Sequence, residues 1–101
     1  MKTAQLEGAA LDWAVEKANG GDHTYNPRGY SMDWAFGGPI IEEEKIGILF
    51  YVDHIPDDDE PTWVASCGGE RALGDTPLIA AMRCYVLLEL GKDVEIPEEL
   101  K

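Results

Sequence analysis

Two arginines in the second half of the chain are the residues best suited to bind an anion. Arg71 follows a pair of glycines, and Arg83 stands alone among apolar residues that begin after Thr76. A guanidinium presents a planar set of donors to phosphate or carboxylate. The free N–H groups at a helix N-terminus can also receive an anion. We therefore predict that Arg71, Thr76 and Arg83 belong to a ligand-binding site.

The same three residues also have a purely structural interpretation. Thr76 is a good N-cap after a flexible turn, and Asp75 beside it would oppose an anion. A buried Arg83 could instead pair with a carboxylate such as Asp33 or Glu42, or with a backbone carbonyl. The segment is not a P-loop, because the Gly-Lys-Ser/Thr ending is missing.

A segment rich in aromatic residues and glycine is the second candidate for ligand binding. Tyrosine and tryptophan can stack on a base or a sugar while their polar atoms form hydrogen bonds. Glycine lets other atoms approach the backbone closely. We predict that Tyr25, Tyr30 and Trp34 line a pocket and that Gly37 and Gly38 admit a ligand to the backbone. The alternative is that these residues only hold a loop against the core.

Neither a catalytic nor a metal-binding motif is recognisable. The residues considered are Asp53, the acidic run 57–60, His23, His54, Ser66, Cys67 and Cys84. The acids do not follow the spacing of a calcium loop, and the histidines and cysteines lack zinc-site spacing. No nucleophile elbow surrounds Ser66 or Cys67. We expect a protein without metal or cofactor that is not an enzyme, with a small hydrolase as a remaining alternative.

Two helices are expected to carry these residues. An apolar stripe from Gly8 to Asn19 predicts the first, which ends at Gly20. The second runs from Thr76, followed by a first-turn proline, to a stop at Gly91. Apolar residues occupy nearly every side of this second helix, which is typical of a central buried helix or of one covered by a second subunit. A homo-oligomer is therefore expected.

The remaining elements predict a small antiparallel sheet. Residues 46–52 and 62–67 are rich in β-branched and aromatic residues and read as a hairpin. Residues 21–38 read as a long ordered loop. Pro39 would then start one or two helical turns, or a short strand. The predicted fold is α+β, with two main helices packed on the sheet in a single domain spanning residues 1–101.

The charge of the chain limits its partners. Twenty acidic and eight basic residues among 101 give a formal net charge of −12. Such a surface repels nucleic-acid phosphates and anionic membranes. No apolar run reaches the length of a membrane span, and no export signal is apparent, so we expect a cytoplasmic protein with reduced cysteines. A disulfide between Cys67 and Cys84 is the alternative.

Three blocks of sequence carry a family resemblance. They are residues 6–15 (Leu-Glu-Gly-Ala-Ala-Leu-Asp-Trp-Ala-Val), 33–42 (Asp-Trp-Ala, then Gly-Gly-Pro-Ile-Ile-Glu) and 76–86 (Thr-Pro-Leu-Ile-Ala-Ala-Met-Arg-Cys-Tyr-Val), with Pro-Glu-Glu-Leu at 97–100. In this order they resemble the NinX-like proteins of lambdoid phages and prophages, a family of unknown function. The resemblance implies a phage accessory protein acting in the bacterial cytoplasm. It implies no catalytic residues and no fold.

Two functional hypotheses follow. The first is a non-enzymatic protein that binds and sequesters a small host molecule as counter-defence, with a nucleotide-derived immune signal as the ligand class. Its net charge requires any phosphate to meet a locally positive pocket. The second is an acidic module that inhibits a host enzyme or nucleic-acid-binding protein through residues 42–44 and 57–60.

Overall fold

The computed structural model describes residues 1–20, 29–51 and 62–100. In these ranges the fold is α+β, as predicted. The helices are α1 (Gly8–Ala18), α2 (Trp34–Glu44) and α3 (Pro77–Leu90), and the strands are β1 (Gly47–Tyr51), β2 (Thr62–Cys67) and β3 (Glu70–Gly74). Short 3₁₀ turns lie at Thr3–Gln5 and Glu98–Leu100. No helix among the described residues is long and apolar enough to cross a membrane.

Helix α3 is the centre of the core, as its apolar sequence predicted. It begins where expected, because the Thr76 hydroxyl accepts a hydrogen bond from the Ile79 N–H at 3.0 Å and Pro77 occupies the first helical position. It ends at Gly91, whose N–H donates to the Leu87 carbonyl. The helix contacts α1, α2 and all three strands. Its apolar circumference is therefore largely covered within one chain.

The sheet has one strand more than the predicted hairpin. The strand order is β1-β2-β3 with both pairs antiparallel. Gly68 and Gly69, at φ +54° and +87°, turn the chain from β2 into β3. Such angles suit glycine, which has no Cβ to clash. Strand β3 escaped prediction because Glu-Arg-Ala-Leu-Gly is short and carries two charges in five residues.

Helix α2 corrects the predicted loop 21–38 and the predicted role of Pro39. Residues 34–38 are helical and not loop, and they belong to a third helix among the described residues. The Asp33 carboxylate starts α2 by accepting a hydrogen bond from the Ala35 N–H at 2.9 Å. Pro39 therefore lies inside the helix, not at its start. Residues 21–28 lie outside the described part of the chain.

The two ends of the chain meet beside α3. Lys2 and Asp93 form an antiparallel bridge, and the Thr3 N–H donates to the Lys92 carbonyl at 2.8 Å. The Thr3 hydroxyl donates to the Gly91 carbonyl at 2.6 Å. Val94, which follows Asp93, is buried, and its N–H donates to the Met1 carbonyl at 2.9 Å. This pairing places Lys2 and Lys92 next to each other although 90 positions separate them.

Candidate functional site

Four of the eight predicted ligand-binding residues line two separate grooves. Arg71 and Arg83 line a groove on the sheet, which we call the arginine groove. Trp34 and Thr76 line another at the starts of the helices, which we call the tryptophan groove. Among the described residues, none lines both grooves.

The arginine groove has a sheet floor and a cationic end. The larger part, which lies over the sheet, has a volume of about 780 Å³. It is lined by Ala4, Gly47, Ile48, Leu49, Val64, Ser66, Arg71, Ala72, Leu73 and Arg83. A smaller hollow of about 250 Å³ continues it and is lined by Lys2, Thr3, Ala4, Arg71, Ala72, Arg83, Leu87 and Lys92. The two parts share both arginines, which therefore lie at the junction. The larger part falls in the size range of small-molecule sites, about 300–1,000 Å³.

Backbone carbonyls hold the Arg83 guanidinium in place. Nε donates to the Leu6 carbonyl at 2.7 Å, and Nη1 donates to the Leu73 carbonyl at 2.9 Å. Of the two protein partners considered from the sequence, a carboxylate or a carbonyl, the carbonyl is the correct one, and ligand binding by Arg83 stays a prediction. A guanidinium has five N–H donors, so two such bonds leave donors for a ligand. Because the carbonyls carry no full charge, the positive charge of Arg83 is not neutralised by them.

Positive charge is concentrated at this groove. Lys2, Arg71, Arg83 and Lys92 line its cationic end, which is four of the eight lysines and arginines in the chain. Among the described residues that line either part there is no aspartate or glutamate. No ion pair joins these four side chains to a carboxylate in the described ranges. A chain of net charge −12 thus presents a locally positive surface.

Strand alternation arranges the floor of the groove in two rows. Ala65 and Cys67 of β2 are buried under α3, so Val64 and Ser66 face the opposite, open side of the sheet. The cross-strand register then gives a polar row of Gly47, Ser66 and Arg71 and an apolar row of Leu49, Val64 and Leu73. Leu49 is 65% exposed and Leu73 is 56% exposed. The open face therefore carries an uncovered apolar strip beside a cationic edge.

The tryptophan groove lies where all three helices begin. It encloses about 600 Å³ and is lined by Glu7, Gly8, Ser31, Met32, Trp34, Thr76, Pro77, Leu78 and Ile79. Trp34 is 53% exposed there. The Thr76 hydroxyl is used as the cap of α3. No lysine or arginine is among the described residues that line this groove, whereas Glu7 is, so no described side chain there supplies a positive charge for an anion.

Of the other predicted ligand residues, Tyr30 and Gly37 pack closely against protein atoms. Tyr30 is buried, donates a hydrogen bond to the Glu16 carboxylate and meets Phe36 edge-on. A Cβ on Gly37 would lie 2.6 Å from the Tyr30 carbonyl oxygen, whereas one on Gly38 would meet nothing within 4 Å. A role of these residues in ligand binding stays a prediction. Tyr25 lies outside the described residues.

The buried groups Asp12, Cys67 and Cys84 line neither part of the arginine groove. Burial raises the pKa of the Asp12 carboxyl, and the Ser31 N–H that donates to it at 2.8 Å opposes that rise. Burial also raises the pKa of the Cys67 thiol to about 12, helped by its hydrogen bond to Cys84. The two sulfur atoms are 3.3 Å apart and both thiols are free. Among the described residues no group of three or more His, Cys, Asp and Glu could hold a metal ion.

Sequence reasoning missed both lysines and the apolar row. Lys2 and Lys92 lie near opposite ends of the chain, and no local pattern indicates that a backbone bridge joins them. The outward position of Leu49 and Val64 could have been predicted. Each alternates with core-facing residues along a predicted strand, so its side chain faces the other side of the sheet. Leu73 carried no such signal, because β3 itself was not predicted.

Comparison with known proteins identifies the family. None of the curated proteins matches the chain. The family model described as Bacteriophage P22, NinX matches residues 21–89, which is more than half of the chain. The match covers α2, the sheet and nearly all of α3, including Arg71 and Arg83. The chain therefore belongs to the NinX family of bacteriophage P22.

Proposed function

We propose that this phage-family protein is a non-enzymatic accessory protein that binds and sequesters a small anionic host molecule. The site is the arginine groove, and the setting is the cytoplasm of an infected bacterium. A nucleotide-derived immune signal is the ligand class, which makes the function counter-defence.

The observation that carries this proposal is the charge of the groove. Half of the chain's cationic side chains line it, and no carboxylate does among the described lining residues. Self-repulsion in a molecule of net charge −12 would be relieved by distributing cations among the acids. Lys2, Arg71, Arg83 and Lys92 instead lie around a groove whose described lining contains no carboxylate, although Asp93 and Glu70 are their neighbours along the backbone. This arrangement favours an external anion as the counter-charge inside the groove.

Calorimetric titration with pyrophosphate, cyclic nucleotides and ADP-ribose derivatives tests the proposal. Arg71 is the residue to change, because its exposed side chain holds no backbone group, whereas Arg83 does. Arg71→Gln should weaken binding about tenfold or more, the size expected for losing a charge-assisted hydrogen bond. Lys17→Gln is the matched control, since it removes one positive charge from α1, outside the groove, and should leave affinity unchanged.

Two results would reject the assignment. One is the absence of heat and of any thermal shift with every anion tested. The other is binding that Arg71→Gln and Lys17→Gln weaken equally, which would indicate only a response to net charge. Release of a chemically altered ligand would instead indicate turnover and revive the hydrolase alternative.

A second candidate function is an acidic module that inhibits a host protein. Glu42, Glu43 and Glu44 occupy the last turn of α2, where the helix dipole disfavours negative charge. These acids lower the stability of the helix end, which favours a role outside the fold. Residues 57–60 of the same proposed surface lie outside the described ranges. Capture from host lysate by the wild-type protein but not by a Glu42→Gln/Glu43→Gln variant, with loss of the partner at high salt, would support this function.

A further inference from the structure

The apolar row and the polar row of the arginine groove together have the layout of a two-part ligand site. Leu49, Val64 and Leu73 lie side by side on three adjacent strands. Strands are spaced about 4.8 Å apart, so the row spans roughly 10 Å. Side chains two positions apart on a strand are separated by about 7 Å, which places the polar row that far from the apolar one.

We propose that the groove binds a nucleoside phosphate whose base lies on Leu49, Val64 and Leu73 and whose phosphate lies between Arg71 and Arg83. This inference rests on the proposed function and adds the ligand's two parts and the residues that contact each. Charge complementarity determines the phosphate end, because the four cations are at that end of the groove. A ribose joins base and phosphate over a span of the order that separates the two rows.

The shape of the floor favours a flat ring over a flexible chain. Leu49 and Leu73 are more than half exposed, so the apolar strip is an open platform and not an enclosed tunnel. A planar base can cover such a strip with one face while its edges remain in water. An acyl chain would leave much of its surface exposed there and gain less from burial.

Gly47 and Ser66 continue the polar row from Arg71 across β2 to β1. Gly47 pairs with Ser66 and projects no side chain, so the edge of the floor at β1 stays open. The exposed Ser66 hydroxyl lies directly across the register from Arg71 and can donate to a phosphate or ribose oxygen. Arg83 contributes a guanidinium already oriented by two carbonyls, which lowers the ordering cost of binding.

A titration series separates the two ends of the ligand. The ligands are pyrophosphate, adenosine, adenosine diphosphate and octyl phosphate, each measured with the full chain. The variants are Leu73→Thr, which removes apolar surface while keeping a good strand residue, and Arg71→Gln. Met32→Thr is the control, because Met32 is 81% exposed and lies in the other groove. Thermal unfolding of each variant verifies that it is folded, and Leu49→Thr replaces Leu73→Thr if the latter is not.

The expected pattern is selective. Adenosine diphosphate should bind more tightly than pyrophosphate, and Leu73→Thr should weaken adenosine diphosphate about fivefold while leaving pyrophosphate unchanged. Arg71→Gln should weaken both, and Met32→Thr neither.

Three outcomes would overturn the inference, and they differ in what they say of the proposed function. If pyrophosphate binds as well as adenosine diphosphate and Leu73→Thr changes nothing, the anion site stands and the base platform is wrong. If octyl phosphate binds as tightly as adenosine diphosphate, the apolar row accepts any apolar group and its preference for a base is wrong. If no anion binds and Leu73→Thr dissociates a dimer, a second copy occupies the surface, and both the inference and the proposed function fail.

Discussion

Arg83 combines a structural and a proposed binding role in one side chain. Its two hydrogen bonds tie the carbonyl before α1 to the carbonyl in β3, so α3 joins two segments 67 positions apart. The residue type was readable from the sequence, since a single arginine on an apolar helix requires a partner. Which partner it takes was not, because carbonyl, carboxylate and ligand all satisfy a guanidinium.

Arg83→Lys should destabilise the fold. An ammonium cannot reproduce two bonds that diverge from one planar group, so at least one carbonyl loses its partner. We expect a loss of about 1–3 kcal/mol in the free energy of unfolding, measured by urea denaturation. Arg71→Lys is the control and should change stability by less than about 0.5 kcal/mol, as exposed substitutions do. Equal stabilities for the two variants would show that the Arg83 bonds contribute nothing.

The two cysteines should be unreactive in the folded protein. Thiolate is the reactive form, and burial raises the pKa of Cys67 to about 12 and also raises that of Cys84. Because both shifts are upward, raising the pH from about 8 to about 10 should create little thiolate in the native state, whereas it ionises an ordinary thiol. A disulfide-exchange reagent should therefore label the unfolded chain quickly and the native chain slowly. Rapid native labelling at pH 8 would contradict the buried thiol pair.

Helix α2 shows how an element can be hidden in a sequence. Its glycines read as loop residues, and Pro39 read as the start of one or two helical turns or of a short strand. The boundaries of α3 were predicted correctly, because Thr76, Pro77 and Gly91 are consistent signals. In α2 the signals conflict: Asp33 caps a helix that then contains Gly37, Gly38 and Pro39. Tertiary packing resolves the conflict, since Gly37 sits where Tyr30 and Leu78 leave no room for a side chain.

The adjacent glycines of α2 should respond oppositely to alanine. In Gly37→Ala the new Cβ would lie 2.5 Å from Leu78 Cδ1 and 2.6 Å from the Tyr30 carbonyl oxygen, so the backbone must shift. We expect a loss of about 1–3 kcal/mol, typical of overpacking. Gly38→Ala meets no atom within 4 Å and should gain about 0.5–1 kcal/mol from helix propensity. Thermal unfolding of both variants measures the difference, and a loss in both or a gain in both would show that the packing at Gly37 is not as described.

Across the whole molecule, negative charge works against the folded state. The formal charge is −12, and the cations that could offset nearby acids are partly gathered at one groove. Composition alone gives the excess of negative charge, and the exclusion of nucleic acid as a partner stays a prediction from it. Composition could not predict that the charge is positive at the arginine groove, because Lys2 and Lys92 become neighbours only through the bridge between the chain ends.

Salt should therefore stabilise the protein. Raising sodium chloride from about 20 mM to about 300 mM shortens the screening length and weakens repulsion among the carboxylates. We expect a gain of about 1 kcal/mol in the free energy of unfolding. In a domain of this size such a gain raises the melting temperature by a few degrees. Sodium sulfate at matched ionic strength should raise it further if an anion also occupies the arginine groove. A fall in melting temperature with sodium chloride would show that attractive ion pairs outweigh the repulsion.

The location of anion binding tests the central claim most directly. Amide resonances of the isotopically labelled protein can be followed by NMR during titration with pyrophosphate. The account predicts that the largest shifts fall on Ser66, Arg71 and Ala72 and on the side-chain Nε–H of Arg83, with little change from Thr76 to Ile79. Shifts concentrated around Trp34 and the start of α3, or none at all, would contradict it.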